Sequence, residues 1–250
     1  MPTPKPPAGW CRRCAARSAP TARRPTPQCR APPDEARTDL ASTPGLAAPV
    51  FYLLAGPNGA GKSTLYRSAV AEGLIPAGAE FINADLHETA QLQHIADPSE
   101  RSRQARLWAD ARRAQCLEQG RSFASETVFS HTSKLDLMAA AKRAGFAVVL
   151  LVVCVDDPQQ LLGRVAQRVR EGGHPVPPER ILARYPRTVR HLGVAVRRAD
   201  LALLYDTSVP PGELFQLPRL VARLRAGAVS WQAEPLPGWA HEVLEPTPQR

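Results

Sequence analysis

The sequence predicts an α/β protein built as a three-layer sandwich, in which a mostly parallel five-stranded sheet lies between two layers of helices. From residue 49 onward, short apolar segments alternate with longer helical ones, the pattern of a parallel sheet with crossover helices. The most apolar segment, residues 146–155, is rich in valine and leucine, as expected of a central strand covered on both faces. No run of about 20 apolar residues occurs, so no membrane span is expected.

The predicted strands are apolar runs of strand length, and the predicted helices begin or end at capping and turn signals such as Asp97-Pro98, Gly120 and Gly145. The strands cover residues 50–55, 81–85, 122–128, 146–155 and 201–206. The helices cover residues 62–72, 97–119, 133–145, 157–170 and 179–198, with a kink expected at Pro186. A small hairpin of residues 219–224 and 228–232 follows, and we expect a loosely ordered tail over residues 233–250.

Residues 56–64 read GPNGAGKST and join the first predicted strand to the first predicted helix. They satisfy G-x-x-x-x-G-K-[ST], in which glycines let the backbone curl round an anion, N–H groups face it and the lysine adds a full charge. We therefore predict a P-loop NTPase fold that binds ATP, with Ser63 as a Mg²⁺ ligand. The predicted ATP contacts are Gly56, Pro57, Asn58, Gly59, Ala60, Gly61, Lys62, Ser63 and Thr64.

Residues 1–48 differ in composition from the rest of the chain. They are rich in proline and arginine and lack apolar periodicity, which indicates a disordered extension. Eight lysines and arginines against three acids give them +5 of the total +9, so nucleic-acid binding by the core does not follow from the net charge. Cys11, Cys14 and Cys29 are too few for a closed zinc site.

The other two cysteines indicate the compartment. Cys116 and Cys154 fall in a predicted helix and a predicted buried strand, where a free thiol acts as a small hydrophobe. The N-terminus has no apolar segment of a secretory signal, and its proline density argues against a transit peptide. We expect a cytoplasmic, reducing location and no membrane partner.

Polar residues at the carboxyl ends of the predicted strands are the site candidates, because parallel sheets bind ligands there. Asp85 ends the second strand and is the predicted catalytic base, with a helix N-cap as its alternative role. Glu126 and Thr127 end the third strand within SETVFS, where a carboxylate among hydroxyls suits a polyhydroxylated substrate. Asp156 ends the fourth in the manner of a Walker B magnesium ligand, but the Asp-Pro pair that follows caps a helix, and we favour a structural role.

Arginines flank the segment EGGHPVPP, residues 171–178, which we predict to be a mobile loop. Such a loop can close over phosphates and exclude water, although a solvated pair of basic helices has the same pattern. The flanking arginines are Arg164, Arg168, Arg180, Arg184 and Arg187. The arginines of the helix over residues 97–119 are interpreted as its solvated side.

Together these motifs resemble the zeta-toxin-like kinases. The shared set is GPNGAGKST, FINAD, SETVFS, RVREGGHPVPPERILARY and LLYDTS, and it covers about residues 49–208 of the predicted kinase domain, residues 49–232. The resemblance implies ATP-dependent phosphorylation of a sugar hydroxyl, in the characterised toxins that of UDP-N-acetylglucosamine. The implied roles are ATP and magnesium contacts for Lys62 and Ser63, the base for Asp85, substrate contacts for Glu126 and Thr127, and lid arginines for Arg168 and Arg184, with Arg187 as the alternative.

The leading hypothesis is therefore a small-molecule kinase acting on a nucleotide sugar, and the toxin of a toxin–antitoxin pair whose antitoxin would be a separate polypeptide. Two alternatives stay open. An ATP-binding interaction module would need neither Asp85 nor Glu126. A polynucleotide-end kinase would suit the net charge, but that charge is concentrated in residues 1–48 and no aromatic-basic interleaving marks a strand-binding groove, so nucleic acid is an unexpected partner.

Overall fold

The computed structural model describes residues 48–171, 176–209 and 217–245, all within one compact unit, Asp34–Arg250. The cysteines of the predicted extension and the centre of the glycine-rich loop lie outside the described residues. The strands are β1 Val50–Ala55, β2 Glu80–Ile82, β3 Phe123–Thr127, β4 Ala147–Cys154, β5 Leu201–Asp206, β6 Arg219–Arg225 and β7 Ala228–Gln232. The helices are α1 Lys62–Ala71, α2 Ala84–Gln91, α3 Pro98–Glu118, α4 Ser133–Arg143, α5 Gln159–Arg170, α6 Pro178–Arg198 and α7 Gly238–Leu244.

The strands form one seven-stranded sheet in the order β2-β3-β1-β4-β5-β6-β7. The first five are parallel, and β6 and β7 are antiparallel. The predicted fold class, a mostly parallel P-loop sandwich with a C-terminal hairpin, is confirmed. The hairpin extends the sheet because β6 pairs with β5 along its whole length, from Leu201 opposite Arg225 to Asp206 opposite Arg219.

Two apolar cores lie on the two faces of this sheet. Alternate residues of β1 belong to different cores, with Leu53 in one and Leu54 in the other. Residues of α3, α4, α6 and α7 pack in the first core, and those of α1 and α5 pack in the second. None of the helices in the described part of the chain is long and apolar enough to cross a membrane.

The second predicted strand, residues 81–85, is wrong at its carboxyl end. Strand β2 stops at Ile82, and α2 begins at Ala84. Asn83 is the N-cap, since its side chain accepts a hydrogen bond from Leu86 N at 3.2 Å. Asp85 therefore lies in the first turn of α2, and neither the strand end nor the capping role considered for it is correct.

The predicted loose tail, residues 233–250, is wrong where α7 forms. Trp239 and Val243 are buried in the core shared with α6. The Trp239 indole N–H donates to Asp206 Oδ1 at 2.9 Å, and its backbone N–H donates to Asp156 Oδ1 at 2.8 Å. Asp156 thus has a structural contact, which agrees with the structural role favoured from the sequence.

Candidate active site

The phosphate loop joins β1 to α1 and packs closely against β4 and α5. A Cβ atom at Gly56 would lie 2.0 Å from the carbonyl oxygen of Val153, and one at Gly59 would lie 2.9 Å from that of Leu161. Both glycines have positive φ, 152° and 82°. Because only glycine avoids both the contact and the strain, these two positions explain why the turn can curl this tightly.

The side chains of Lys62 and Glu126 lie close together beside this loop. The Lys62 ammonium is buried and donates to the carbonyl oxygens of Gly56 and Pro57, each at 3.0 Å. It also lies 3.6 Å from Glu126 Oε1. These contacts hold the lysine at the loop, where exchange of a carbonyl bond for a phosphate bond costs little.

The Glu126 carboxylate also faces two polar neighbours. Its Oε2 accepts a hydrogen bond from Asn83 Nδ2 at 3.0 Å and one from Ser63 Oγ at 3.5 Å. The residues that the structure describes contain no group of three or more His, Cys, Asp or Glu side chains that could hold a metal. Mg²⁺ takes one or two carboxylates together with phosphate and water oxygens, so Ser63 and Glu126 beside a bound triphosphate fit that ion.

A cavity of about 270 Å³ opens beside the loop and brings the predicted site residues together. It lies between the carboxyl end of β3, the start of α2 and the arginine-bearing helices α5 and α6. Its wall includes Asn58, Lys62, Asp85, Glu126, Thr127, Arg168 and Arg184. Elements far apart in sequence thus bring the two carboxylates and three cations that the sequence predicted for the site around one space.

The cavity also contains basic residues that the sequence analysis did not assign to the site. Arg106, Arg113, His131 and Lys134 line it. Interpreting the arginines of α3 as a solvated side is wrong for Arg113, which is buried and donates to Ser125 Oγ of β3 at 3.1 Å. The i, i+7 spacing of Arg106 and Arg113 could have indicated a shared helical face.

Arg164 does not line the cavity with Arg168 but holds the phosphate loop from its other side. Its guanidinium donates to Thr207 Oγ1 at 3.1 Å, to Gly59 O at 3.4 Å and to the Thr207 carbonyl. Thr207 Oγ1 in turn donates to Ala60 O at 2.9 Å. Burial lowers the pKa of the Arg164 guanidinium. Arg164 and Thr207 therefore fix two carbonyl groups of the loop.

Arg184 stands among other cations at the cavity. Burial lowers the pKa of its guanidinium, and the positive charges of Arg180, Arg187 and Arg106 lower it further. Arg184 also lines an adjoining cavity of about 600 Å³, together with Arg106 and Arg180. Arg187 lines neither cavity. Of the two candidates for the second lid arginine, the geometry favours Arg184.

Comparison with known protein families identifies the domain. A family model described as an AAA domain matches residues 52–192, which is more than half of the 250-residue chain. The chain belongs to this AAA-domain family. The match covers the phosphate loop, Asp85, Glu126 and the two arginines predicted for the lid, Arg168 and Arg184, and it agrees with the resemblance to zeta-toxin-like P-loop proteins. No curated protein matches the sequence.

Solved structures show the same fold for this AAA-domain chain. The AvrRxo1-ORF1:-ORF2 complex with ATP matches with a TM-score of 0.57 and 20% identity over 73% of this chain and 60% of that one. The native form of that complex matches with a TM-score of 0.50 and 21% identity over 78% of this chain and 63% of that one. The chain thus spans about 60% of the length of these relatives.

A weaker match is the PezAT chromosomal toxin–antitoxin system of Streptococcus pneumoniae, with a TM-score of 0.46 and 16% identity over 69% of this chain and 77% of that one. At that score and identity the match supports no conclusion. The family and the first two structures place the chain among P-loop proteins with an ATP-binding fold. The roles of the individual site residues stay predictions.

Proposed function

We propose that this protein is an ATP-dependent kinase that transfers the γ-phosphoryl group to a hydroxyl of a small acceptor. One observation carries the proposal: Asp85 and Glu126 line the cavity into which Lys62 of the phosphate loop also faces. A module that only binds ATP has no need for two carboxylates beside the site of the γ-phosphate, whereas a phosphotransferase needs a group to orient or deprotonate the acceptor.

Asp85 is the group that would take the acceptor proton. It is exposed in the first turn of α2, and within the described ranges its carboxylate has neither a hydrogen bond nor an ion pair. An acceptor hydroxyl beside Asp85 would lose its proton to the carboxylate while its oxygen attacks the γ-phosphorus. The bond from that phosphorus to the β–γ bridging oxygen breaks, and ADP leaves with the electron pair.

The cations around the cavity would stabilise the charge of the transferring group. Lys62 holds the phosphate at the loop, while Arg168 and Arg184 line the cavity from two successive helices. Three positive charges in a partly enclosed space act on the γ-phosphoryl oxygens more strongly than they would in open water. A bound Mg²⁺ would add neutralisation of the β- and γ-phosphates, with Ser63 and Glu126 as its protein contacts.

The finer proposal concerns the acceptor and the partner. The motif resemblance supports a nucleotide sugar such as UDP-N-acetylglucosamine, with Glu126 and Thr127 contacting it. The AvrRxo1-ORF1:-ORF2 complex contains two components and ATP, which supports a second polypeptide as partner of this chain and, with the motif resemblance, a toxin–antitoxin pair. Residues 49–232 together with α7, which packs in the same core, are the proposed catalytic domain, in a cytoplasmic protein.

Labelled ATP tests the proposal directly. The protein is incubated with [γ-³²P]ATP, magnesium and a panel of UDP-N-acetylglucosamine, other nucleotide sugars and short oligonucleotides, and we expect label on a nucleotide sugar. Label on oligonucleotides alone would indicate a polynucleotide-end kinase. ATP binding without any labelled product would indicate an interaction module.

The base assignment has its own test in Asp85→Asn. We expect this variant to lower kcat by about 100-fold or more, because a general base contributes about 10²–10⁴ in rate, while the ATP Kd changes by less than about twofold. Asp136→Asn is the matched control, since Asp136 is likewise an exposed aspartate in the first turn of a helix, α4, and does not line the cavity. A parental rate in Asp85→Asn would show that another group takes the proton.

A further inference from the structure

The cavity has a second basic wall, on the β3 side, that phosphoryl transfer from ATP does not use. Arg113 of α3 and Lys134 of α4 form it, with His131 just before α4. The Arg113 guanidinium donates to Ser125 Oγ, whose own hydrogen is given to Ile82 O at 2.9 Å. This network ties the wall to β2 and β3, whereas Arg164 and Thr207 hold the phosphate loop from the β4–β5 side.

Lys134 is the residue whose position most needs an anion. It is partly buried, and within the described part of the chain its ammonium makes no hydrogen bond and no ion pair within 4 Å. Burial lowers the pKa of this ammonium and the charge of Arg113 lowers it further, while the nearby Asp110 carboxylate offsets part of that shift. The carboxylate of Asp110 pairs with Arg113, so one negative charge stands against two positive ones. An unpaired, partly desolvated cation is costly unless a ligand supplies the counter-charge.

His131 adds a donor to this wall. The backbone N–H of Ser133 donates to His131 Nδ1 at 3.1 Å. Nδ1 therefore acts as an acceptor, and the neutral ring carries its hydrogen on Nε2. A guanidinium, an ammonium and an imidazole N–H on one wall match the several terminal oxygens of a phosphate better than the two of a carboxylate.

We propose that Lys134, Arg113 and His131 bind a phosphate or diphosphate group of the acceptor, so that a phosphate-bearing molecule is accepted in preference to a neutral sugar. This inference rests on the proposed function, since it assigns the acceptor half of the same site. ATP's own phosphates are accounted for by Lys62, Arg168 and Arg184, which leaves this wall for a second anion.

A binding experiment tests the subsite without requiring turnover. Full-length protein is saturated with Mg·AMP-PNP to occupy the phosphate loop, and inorganic phosphate is titrated at constant ionic strength while the melting temperature is followed. We expect Lys134→Met to weaken phosphate binding about 10-fold or more, and Lys134→Arg to keep most of it, because a charge-assisted hydrogen bond is lost only in the first.

Lys142→Met is the matched control for this binding experiment. Lys142 is on the same helix, but its ammonium bonds to Asp200 Oδ1 and Arg198 O, outside the cavity. Binding should change by less than about twofold in this variant, since an exposed surface charge contributes little. Equal losses in the two methionine variants, or no phosphate binding by the AMP-PNP-loaded parent, would overturn the subsite. We expect Lys134→Met to fold like the parent, because the substitution removes a partly desolvated charge and methionine has an unbranched side chain of similar length.

The transfer assay gives a second readout. For UDP-N-acetylglucosamine we expect Lys134→Met to raise KM about 10-fold with little change in kcat, whereas KM for free N-acetylglucosamine stays at its parental value. An equal effect on both acceptors would exclude recognition of the phosphate. If no acceptor is phosphorylated, the proposed function fails, but phosphate binding at Lys134 is still measured by the first experiment. If transfer occurs and Lys134→Met binds phosphate as the parent does, only the subsite fails.

Discussion

A methyl group at Gly56 would lie 2.0 Å from the carbonyl oxygen of Val153. Its φ of 152° is also one that a side chain rarely allows. We therefore expect Gly56→Ala to lower the free energy of unfolding by about 2–4 kcal/mol and to weaken ATP binding more than about 10-fold. Denaturant titration and calorimetric ATP binding measure the two effects.

Gly78→Ala is the control for that change. Apart from Gly78 itself and its two neighbours in the chain, no described residue has an atom within 4 Å of a Cβ placed at this position, and its φ is not in the positive range. We expect it to change the free energy of unfolding by less than about 1 kcal/mol and to leave ATP binding unchanged. Equal effects of the two substitutions would mean that the contact of Gly56 with β4 does not shape the loop.

Two threonine hydroxyls stabilise the two parts of the site, one at the phosphate loop and one at the turn after β3. Thr207, after β5, donates to Ala60 O of the phosphate loop at 2.9 Å. Thr188, on α6, donates to Val128 O at 3.2 Å, next to Phe129, whose φ of 62° is strained for a bulky residue. One helix thus carries Arg184 and also braces the turn that follows Glu126 and Thr127.

These two threonines should separate donor binding from acceptor binding. Thr207→Val is expected to raise the ATP Kd about 5- to 30-fold and to leave the acceptor KM unchanged, because a buried carbonyl loses its partner at the loop. Thr188→Val should raise the acceptor KM by a similar factor with an unchanged ATP Kd. Steady-state kinetics with ATP and acceptor varied in turn measure both. If both variants altered the same constant, the two braces would not act on separate half-sites.

At the scale of the whole molecule, local sequence signals were enough for most of the sheet and its crossover helices. Apolar runs marked β1, β4 and β5 because these strands are buried among other strands, and Asp97-Pro98 marked the start of α3 by its capping chemistry. The phosphate loop was predictable because its function needs particular residues at fixed spacing.

The missed features depend on contacts between distant parts of the chain. The basic wall of the cavity exists only because α3 and α4 meet at β3, and no spacing in the sequence relates Arg113 to Lys134. Helix α2 was not predicted, and the strand before it was extended to residue 85, because the strand-like Phe81-Ile82 pair is followed directly by a capping asparagine, Asn83. Helix α7 is ordered because Trp239 contacts Asp156 and Asp206, which lie at the carboxyl ends of β4 and β5.

The packing of α7 predicts a large loss of stability in Trp239→Ala. Trp239 is 3% exposed, and its indole N–H donates to Asp206 Oδ1, a buried carboxylate at the end of β5. Removing the ring should lower the free energy of unfolding by about 3–5 kcal/mol, because it leaves a cavity in the core and removes a donor from a buried carboxylate. Trp231→Ala, on the edge strand β7, should cost less than about 1.5 kcal/mol, since that ring is only partly buried. Urea denaturation of both variants measures the difference, and a cost for Trp239→Ala as small as that expected for Trp231→Ala would mean that α7 contributes little to the stability of the fold.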